Sequence, residues 1–272
     1  PNRDGSKGRD GCIYCNPRGS GTGAYAAGVS IREQVRTGVD FLSGRYKCRK
    51  FIAYFQSFTN TYAPPDHLSR VFEEAVECPE IVGLAIGTRP DCVADPVLDT
   101  IGEFAQQQMV WIEYGLQSAQ RETLALIKRG HSPEDFFDAV TRTKDRGILT
   151  VAHLILGLPG ESLMQMLETA QAVAEAQVWG VKLHPLYVIR GTALEDMYSQ
   201  GRYRPMSEDE SLEATLSVLS VLPSEMVIHR LTSDPHPEEL VAPQWMLDGR
   251  GVRDRLVKAM KDRDLVQGSR YG

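Results

Sequence analysis

The segment IVGLAIGT, residues 81–88, carries no charge and is almost wholly apolar at odd and even positions alike, between Pro79 and Pro90. A strand with one wet face would alternate, so a run like this belongs to a parallel strand covered on both sides. Comparable runs recur as FIAYFQSF (51–58), MVWIEYGL (109–116), ILTVAHLILGL (148–158) and GVKLHPLYVI (180–189). Amphipathic stretches separate them. Ser30 followed by Glu33 is a capping-box pair that opens a helix over 31–43. Asp66 starts another to about Cys78, with Leu68, Val71, Phe72 and Val76 at helical spacing. Further helices are expected near 94–107, 118–128 and 133–146, and from Gly160 and Ser162 to about 178. No joint carries the turn chemistry of a hairpin. Strand and helix in alternation predict βα units and a parallel sheet, open or curled into a barrel.

After Arg190 the rhythm loosens. Residues 207–221 read as an acidic-started amphipathic helix, MVIHRL (226–231) as a short strand, and 251–263 as a basic terminal helix. The expected organisation is a core over 1–190, with a cysteine loop at 1–23 and barrel units from 30, followed by a C-terminal extension over 191–272. The 272 residues, 42% of them hydrophobic, are enough for a substantial core. No run of 18 uncharged apolar residues occurs, so no membrane span is expected. The chain opens on Pro in mid-loop and reads as a fragment of a longer product. Five cysteines, only two of them close together, argue against a disulfide framework and for a reducing, cytoplasmic setting.

Charge is uneven. The net value is −6, yet residues 1–50 hold ten Lys/Arg and four Asp/Glu, a surplus of +6 that leaves −12 for the remainder. A basic first segment on an acidic body could steer an anionic partner towards the cysteines, or it could be a solvated surface.

The cysteines are Cys12 and Cys15, a C-x-x-C pair in PNRDGSKGRDGCIYCNPRGSGTG. Two thiolates are half of a zinc site or two-thirds of a cluster site. Cys48, Cys78 and Cys92 have no partner at zinc-knuckle spacing and read as structural thiols, although Cys92 falls near a strand end. In parallel α/β proteins ligands gather at the C-terminal ends of strands. Those ends carry Gln56-Ser57, Gly87-Thr88-Arg89-Pro90-Asp91, Glu113 to Ser118, His153 through Glu161, and Lys182 with His184. Glu113 and Lys182 could instead form a buried structural ion pair. His67, His131, His229 and His236 are given no catalytic role.

Taken in order, PNRDG…GCIYCN, AYFQSFTNTYA, VGLAIGTRPDCV, GLQS…IKRGH, HLILGLPGE, GVKLHPLYVIRGT and LVAPQW resemble the radical S-adenosylmethionine superfamily. The likeness is to its elongator-like branch, which includes the YhcC-type proteins, and it runs from residue 1 to about 245. The fold it implies is a partial (β/α)6 TIM-like barrel whose first strand lies upstream of this chain. It also implies three cluster cysteines, the first immediately before Pro1, in the spacing C-x11-C-x2-C. Three thiolates would hold a [4Fe–4S] cluster and leave one iron open. That iron would take the amino and carboxylate groups of S-adenosylmethionine, and reductive cleavage would give a 5′-deoxyadenosyl radical that abstracts hydrogen from substrate. The absence of a second cysteine pair favours this over zinc.

The resemblance also implies roles. Cys12 and Cys15 are cluster ligands, and Tyr14 lies near the adenine. Gln56 and Ser57 meet the methionine amino group, and Thr88 is a weak substitute for a Glu that relatives often carry at the position of Gly87. Gln117 and Arg129 reach the ribose and carboxylate. Leu156 to Pro159, Leu156 and Gly157 included, hold adenine through the backbone. His153 stands where relatives often have Asp. Lys182, His184 and Cys92 are candidates for contact with substrate, with no catalytic residue assigned.

The implied substrate is tRNA, at the wobble-uridine side chain; some relatives are associated with trimming a carboxymethylaminomethyl group there. Arg3, Lys7, Arg9 and Arg18 around the cysteines, and Arg45, Lys47, Arg49 and Lys50 before the next strand, are placed to receive it. An external one-electron donor of the flavodoxin or ferredoxin type is implied, and no membrane. Alternatives are a small-molecule or tetrapyrrole-type substrate, and a non-catalytic scaffold that binds S-adenosylmethionine or RNA.

Overall fold

The computed structural model describes residues 3–15 and 28–271. Arg18 and the rest of the cysteine loop to residue 23 lie outside the described residues. In chain order the elements are α1 (Ile31–Tyr46), β1 (Phe51–Phe55), α2 (Pro65–Val76), β2 (Ile81–Thr88), α3 (Asp95–Ala105), β3 (Met109–Gln117), α4 (Arg121–Leu126), α5 (Pro133–Lys144), β4 (Leu149–Leu156) and α6 (Leu163–Glu175). There follow β5 (Gly180–Pro185), β6 (Val188–Ile189), α7 (Ala193–Ser199), α8 (Glu208–Val221), β7 (Val227–Arg230), β8 (Leu240–Ala242) and α9 (Gly249–Asp262). Among the described residues no helix is long and apolar enough to cross a membrane.

Six strands form one sheet in the order β1-β2-β3-β4-β5-β7. β1 with β2, β2 with β3, β4 with β5 and β5 with β7 all pair parallel, and the first five strands stand in chain order. Helical crossovers impose this, because parallel neighbours cannot be joined by a tight turn. The topology is that of the partial (β/α)6 barrel expected from the sequence. The expected strand over 180–189 is two elements. β5 stops at Pro185, the Leu186 N–H still reaches the Leu156 carbonyl at 2.9 Å, and Val188–Ile189 then pairs antiparallel with β8. The helix expected over 118–128 shrinks to α4, because Gln117 (φ 76°) and Lys128 (φ 55°) are left-handed on either side of it.

Contacts divide the chain into two compact units. One comprises Arg18–Tyr114 and Asp138–Thr150. In it Ser30 caps α1, accepting the Glu33 N–H at 3.2 Å, and Phe72 of α2 stands edge-on to Phe55 and Phe104, with centroids 5.1 and 5.8 Å away. Leu84, Ile86, Leu98, Ile101 and Ile112 complete a dry core. β2 is buried on both faces, as its composition requires, and the neighbouring strands leave no space at Gly83: a Cβ there would overlap the Met109 backbone carbonyl and sit 2.9 Å from Ile52 Cδ1.

The other unit comprises Pro1–Pro17, Gly115–Phe137 and Val151–Gly272. Its apolar centre gathers Ile13, Leu124, Ile127, Ile155, Leu158, Leu186, Val188, Leu194, Tyr203 and Ala242. Ile13 is tied by its backbone as well as its side chain. Its N–H donates to the Ile127 carbonyl (3.2 Å), and its carbonyl accepts the Leu194 N–H at the start of α7 (2.9 Å). The residue between the cysteines and their preceding loop is thus the anchor of that loop.

Candidate cluster and cofactor site

With Ile13 anchored, Cys12 is drawn inward and is only 5% exposed, while Cys15 is half-buried. The Cys15 N–H donates to the Cys12 carbonyl at 3.1 Å, closing a one-turn loop that keeps both thiols together. A hydrogen bond from Cys15, together with the Arg129 guanidinium, outweighs burial and holds the Cys12 thiol well below its ordinary range; the same exchange pushes Cys15 well above it.

Arg129 is delivered by the end of α4. Ile127 caps the helix, Lys128 turns left-handed, and the Arg129 N–H returns to the Leu124 carbonyl at 2.9 Å. Its Nη1 points at Cys12 Sγ, 3.7 Å away. Nε and Nη2 both donate to the Gly115 carbonyl, at 3.1 and 2.7 Å. His131 completes the cradle: its Nδ1 lies 3.0 Å from the Ser132 carbonyl, and its Nε2 lies 3.0 Å from both Arg129 Nε and the Gly115 carbonyl. Burial works against the guanidinium's charge, but Cys12, Tyr14 and Cys15 more than offset it and its pKa is raised.

The cradle needs a glycine. A Cβ on Gly115 would overlap Arg129 Nη2 and stand 2.6 Å from Gln117 Nε2. Tyr14 packs against the apolar centre, and its phenol is pushed well up by burial and by the Cys12 charge. Gln117 ends β3 in the left-handed region, a conformation that costs a non-glycine residue on the order of 1 kcal/mol. Next to it Ser118, fully buried, donates to Glu161, whose carboxyl burial pushes up against the pull of Ser118 and Thr123. This bond joins the end of β3 to the LPGE turn after β4. In that turn Gly157 (φ 81°) is close-packed, because a Cβ would lie 2.9 Å from Met206 Cε, and its carbonyl accepts the Tyr203 hydroxyl at 3.0 Å.

β4 and β5 place His153 beside Lys182 and Ile155 beside His184. The two imidazoles lie 5.3 Å apart, tilted by 37°.

In the unit built on β1 and β2, Gln56 is exposed and Ser57 half-buried at the end of β1. Asn60 ties that end down: its side-chain amide donates to the carbonyls of Phe55 (3.1 Å), Ser57 (3.1 Å) and Gly87 (2.8 Å). Thr88 is buried, its hydroxyl 2.6 Å from that of Thr61. Arg89 and Asp91 form a two-pronged ion pair at 2.9 and 3.0 Å, both side chains 3% exposed. The Glu113 carboxylate, 1% exposed, accepts from Tyr54 (2.6 Å) and from Trp111 Nε1 (2.9 Å). Cys92 is half-buried with its thiol pushed up by burial, and Cys48 is exposed.

Sequence reasoning did not find Gly115, Asn60 or the Ser118–Glu161 bond, and it gave His131 no role near a ligand. A signal existed only for the first: a glycine next to the end of an otherwise bulky strand marks a close approach.

Among the described residues no group of three or more His, Cys, Asp or Glu side chains could hold a metal ion. Cys12 and Cys15 do fit as two thiolate donors of a cluster with three protein ligands: they share one turn, and the Arg129 guanidinium stands beside Cys12 to balance the charge. Residues 8–173 match the radical SAM superfamily, and residues 178–262 match the radical SAM C-terminal domain. The chain belongs to the radical SAM superfamily and is an enzyme of that class, whose members use a [4Fe–4S] cluster and S-adenosylmethionine.

Within the superfamily it is 35% identical to protein YtqA of Bacillus subtilis, over 98% of this chain and 83% of that one. It is 37% identical to protein YhcC of Escherichia coli, over 90% and 78%. It shares 32% identity with the tRNA uridine(34) acetyltransferase of Methanocaldococcus infernus over 61% of this chain, which spans 32% of that longer protein. The structure of the M. infernus Elp3 with an N-terminal deletion overlays with a TM-score of 0.75 at 23% identity, covering 88% of this chain and 60% of that one, and shares its fold.

Proposed function

We propose that this radical SAM enzyme acts on tRNA, at the side chain of the wobble uridine. The observation that carries the proposal is the stretch from Arg45 to Lys50. Arg45, Tyr46, Lys47, Arg49 and Lys50 are all exposed, and the Arg45 guanidinium lies over the Tyr46 ring at 5.5 Å. Phe41, 63% exposed, adds a second bare aromatic from the same helix. Basic side chains interleaved with exposed aromatics offer an RNA both phosphate contacts and stacking platforms. A relative named for tRNA uridine(34) supports the same partner.

In this reading Cys12 and Cys15 hold the cluster, within a core over 1–190 that the segment 191–272 extends. Arg129 and Gln117 take the polar groups of S-adenosylmethionine, with Gln56, Ser57, Thr88 and His153. Tyr14, Leu156 and Gly157 line its adenine. When bound, the cluster and S-adenosylmethionine supply one-electron reductive cleavage of the cofactor, driven by an external one-electron donor. The chain's own task is to bind, orient and keep water out. Arg129 is suited to the carboxylate because its planar fork can grip two oxygens.

Two results are expected. Replacing Lys47, Arg49 and Lys50 together with Ala should weaken tRNA binding and flatten the dependence of log affinity on log salt by about two to three units. Filter binding at several salt concentrations measures both. An unchanged slope removes these residues from the interface, and a parent protein with no salt-dependent binding points to a small-molecule substrate. Separately, Gly115→Ala should displace Arg129 and Gln117 rather than the fold, since both clashes fall on the ends of flexible side chains. S-adenosylmethionine affinity should fall about tenfold, as for loss of one charge-assisted contact, with a melting temperature near that of the parent.

A further inference from the structure

The turn after β4 is held at three successive carbonyls. That of Leu156 takes the Leu186 N–H at 2.9 Å, and that of Leu158 takes the Glu161 N–H at 3.1 Å. Both donors are backbone groups. The carbonyl between them, on Gly157, takes the Tyr203 hydroxyl at 3.0 Å, from a side chain 46 residues further along the chain. Met206, three residues beyond Tyr203, covers the bare α-carbon: a Cβ at Gly157 would lie 2.9, 3.0 and 3.2 Å from its Cε, Cγ and Sδ. Gly157 is left-handed (φ 81°) and stands past the last residue of β4, so the strand ladder does not fix it. Two side chains from the C-terminal segment do.

That segment is braced for the task. Residues 203–206 form no helix or strand, yet both ends are tied. The N–H groups of Arg202 and Tyr203 donate to the Met197 carbonyl in α7, at 2.8 and 3.2 Å. α7 is the helix whose Leu194 N–H reaches Ile13 between the cysteines. At the other end the Met206 carbonyl takes Trp245 Nε1 at 3.2 Å, and Ser207 opens the capping box of α8. Arg204 grips Glu210 of that cap with two bonds, at 2.8 and 2.6 Å. The Tyr203 ring belongs to the apolar centre with Ile13, Ile155 and Leu158, where a Phe ring would fill the same space. What the hydroxyl adds is the bond to Gly157, and a buried hydroxyl is favourable only where such a partner waits.

We infer that Tyr203 and Met206 are positioning residues for the adenine of S-adenosylmethionine, fixing the Leu156–Gly157 backbone in the shape the base meets. The C-terminal segment is thereby a working part of the cofactor site. This rests on the reading of Leu156 and Gly157 as the adenine wall, and the test separates the two. Full-length, cluster-loaded protein is prepared without oxygen as the parent, Tyr203→Phe, Met206→Ala and Met206→Leu. Affinity is measured for S-adenosylmethionine and for methionine, which carries the same amino and carboxylate groups but no base. Hydrogen exchange of the amides over 156–161 is followed with and without S-adenosylmethionine. In the parent the bound cofactor should slow that exchange. Tyr203→Phe should lower S-adenosylmethionine affinity about fivefold, the worth of one neutral hydrogen bond. Exchange over 156–161 in the free protein should quicken, with methionine affinity and iron content as in the parent. Met206→Ala should act alike by uncovering Gly157, and it decides the matter should Tyr203→Phe not fold. Met206→Leu, close in volume, should restore most of the loss. Exchange in the parent indifferent to bound S-adenosylmethionine removes the adenine wall and the inference with it. Protection in the parent, with S-adenosylmethionine affinity unchanged in the Phe and Ala variants, overturns the inference alone. So does an equal loss for methionine or a fall in iron, since both residues would then merely hold the fold.

Discussion

Cys12→Ala or Cys15→Ala, in full-length protein reconstituted anaerobically with iron and sulfide, should leave almost no bound iron, against on the order of four per chain in the parent. The geometry makes this an all-or-none effect. Both thiols belong to one turn anchored through Ile13, and nothing else on that turn can donate in their place. Cys48→Ala and Cys78→Ala should leave iron content and the broad brown absorbance unchanged. Cys48 is exposed, and the Cys78 thiol is half-buried and donates to Glu80 at 3.0 Å. Iron retained by Cys12→Ala would sink the cluster assignment.

Arg129→Ala should weaken S-adenosylmethionine binding by roughly 10- to 100-fold, the worth of a charge-assisted hydrogen bond of about 1.5–3 kcal/mol. The change also strips the Gly115 carbonyl of two donors and the Cys12 thiolate of its cation, so iron should be lost faster to a chelator. Arg129→Lys is the sharper probe. An ammonium restores the charge but cannot span the Gly115 carbonyl and the thiolate as a planar fork does, so affinity should recover only in part. Equilibrium binding of S-adenosylmethionine, read beside chelator-release rates, separates the two roles. Arg129→Ala with the parent's affinity and release rate would remove Arg129 from the site.

How far the sequence reveals this depends on whether a feature is local. β2 is found at Ile81–Thr88, the bounds read from the sequence, because burial on both faces leaves an unbroken apolar run. The start of α6 is equally legible, since Ser162 and Gln165 form a reciprocal cap. The break between β5 and β6 is not, because the run LYVI stays apolar and only pairing with a distant strand turns it aside. α7 is too short for periodicity to show, although Thr192 caps it by accepting the Glu195 N–H. At the site, the cysteine pair is plain in the sequence, but its purpose comes from resemblance to a family. A glycine near the end of bulky β3 does signal a close approach, but that Arg129 is what lies across Gly115 is not legible, because that side chain comes from another element.

The backbone ties at Ile13 carry a consequence for the order of assembly. The residue between the thiols is hydrogen-bonded to Ile127 and Leu194, both far along the chain, so the loop cannot settle until those later segments have formed. Contacts so distant in sequence are slow to close. During synthesis the two thiols emerge before either partner segment and would stay exposed to oxidation and to stray metals until both are made. Cluster insertion should therefore be a late step, gated by completion of the body rather than by emergence of the cysteines. A cell making this protein faster than it folds should accumulate apoprotein with modified Cys12 and Cys15, even when iron is plentiful.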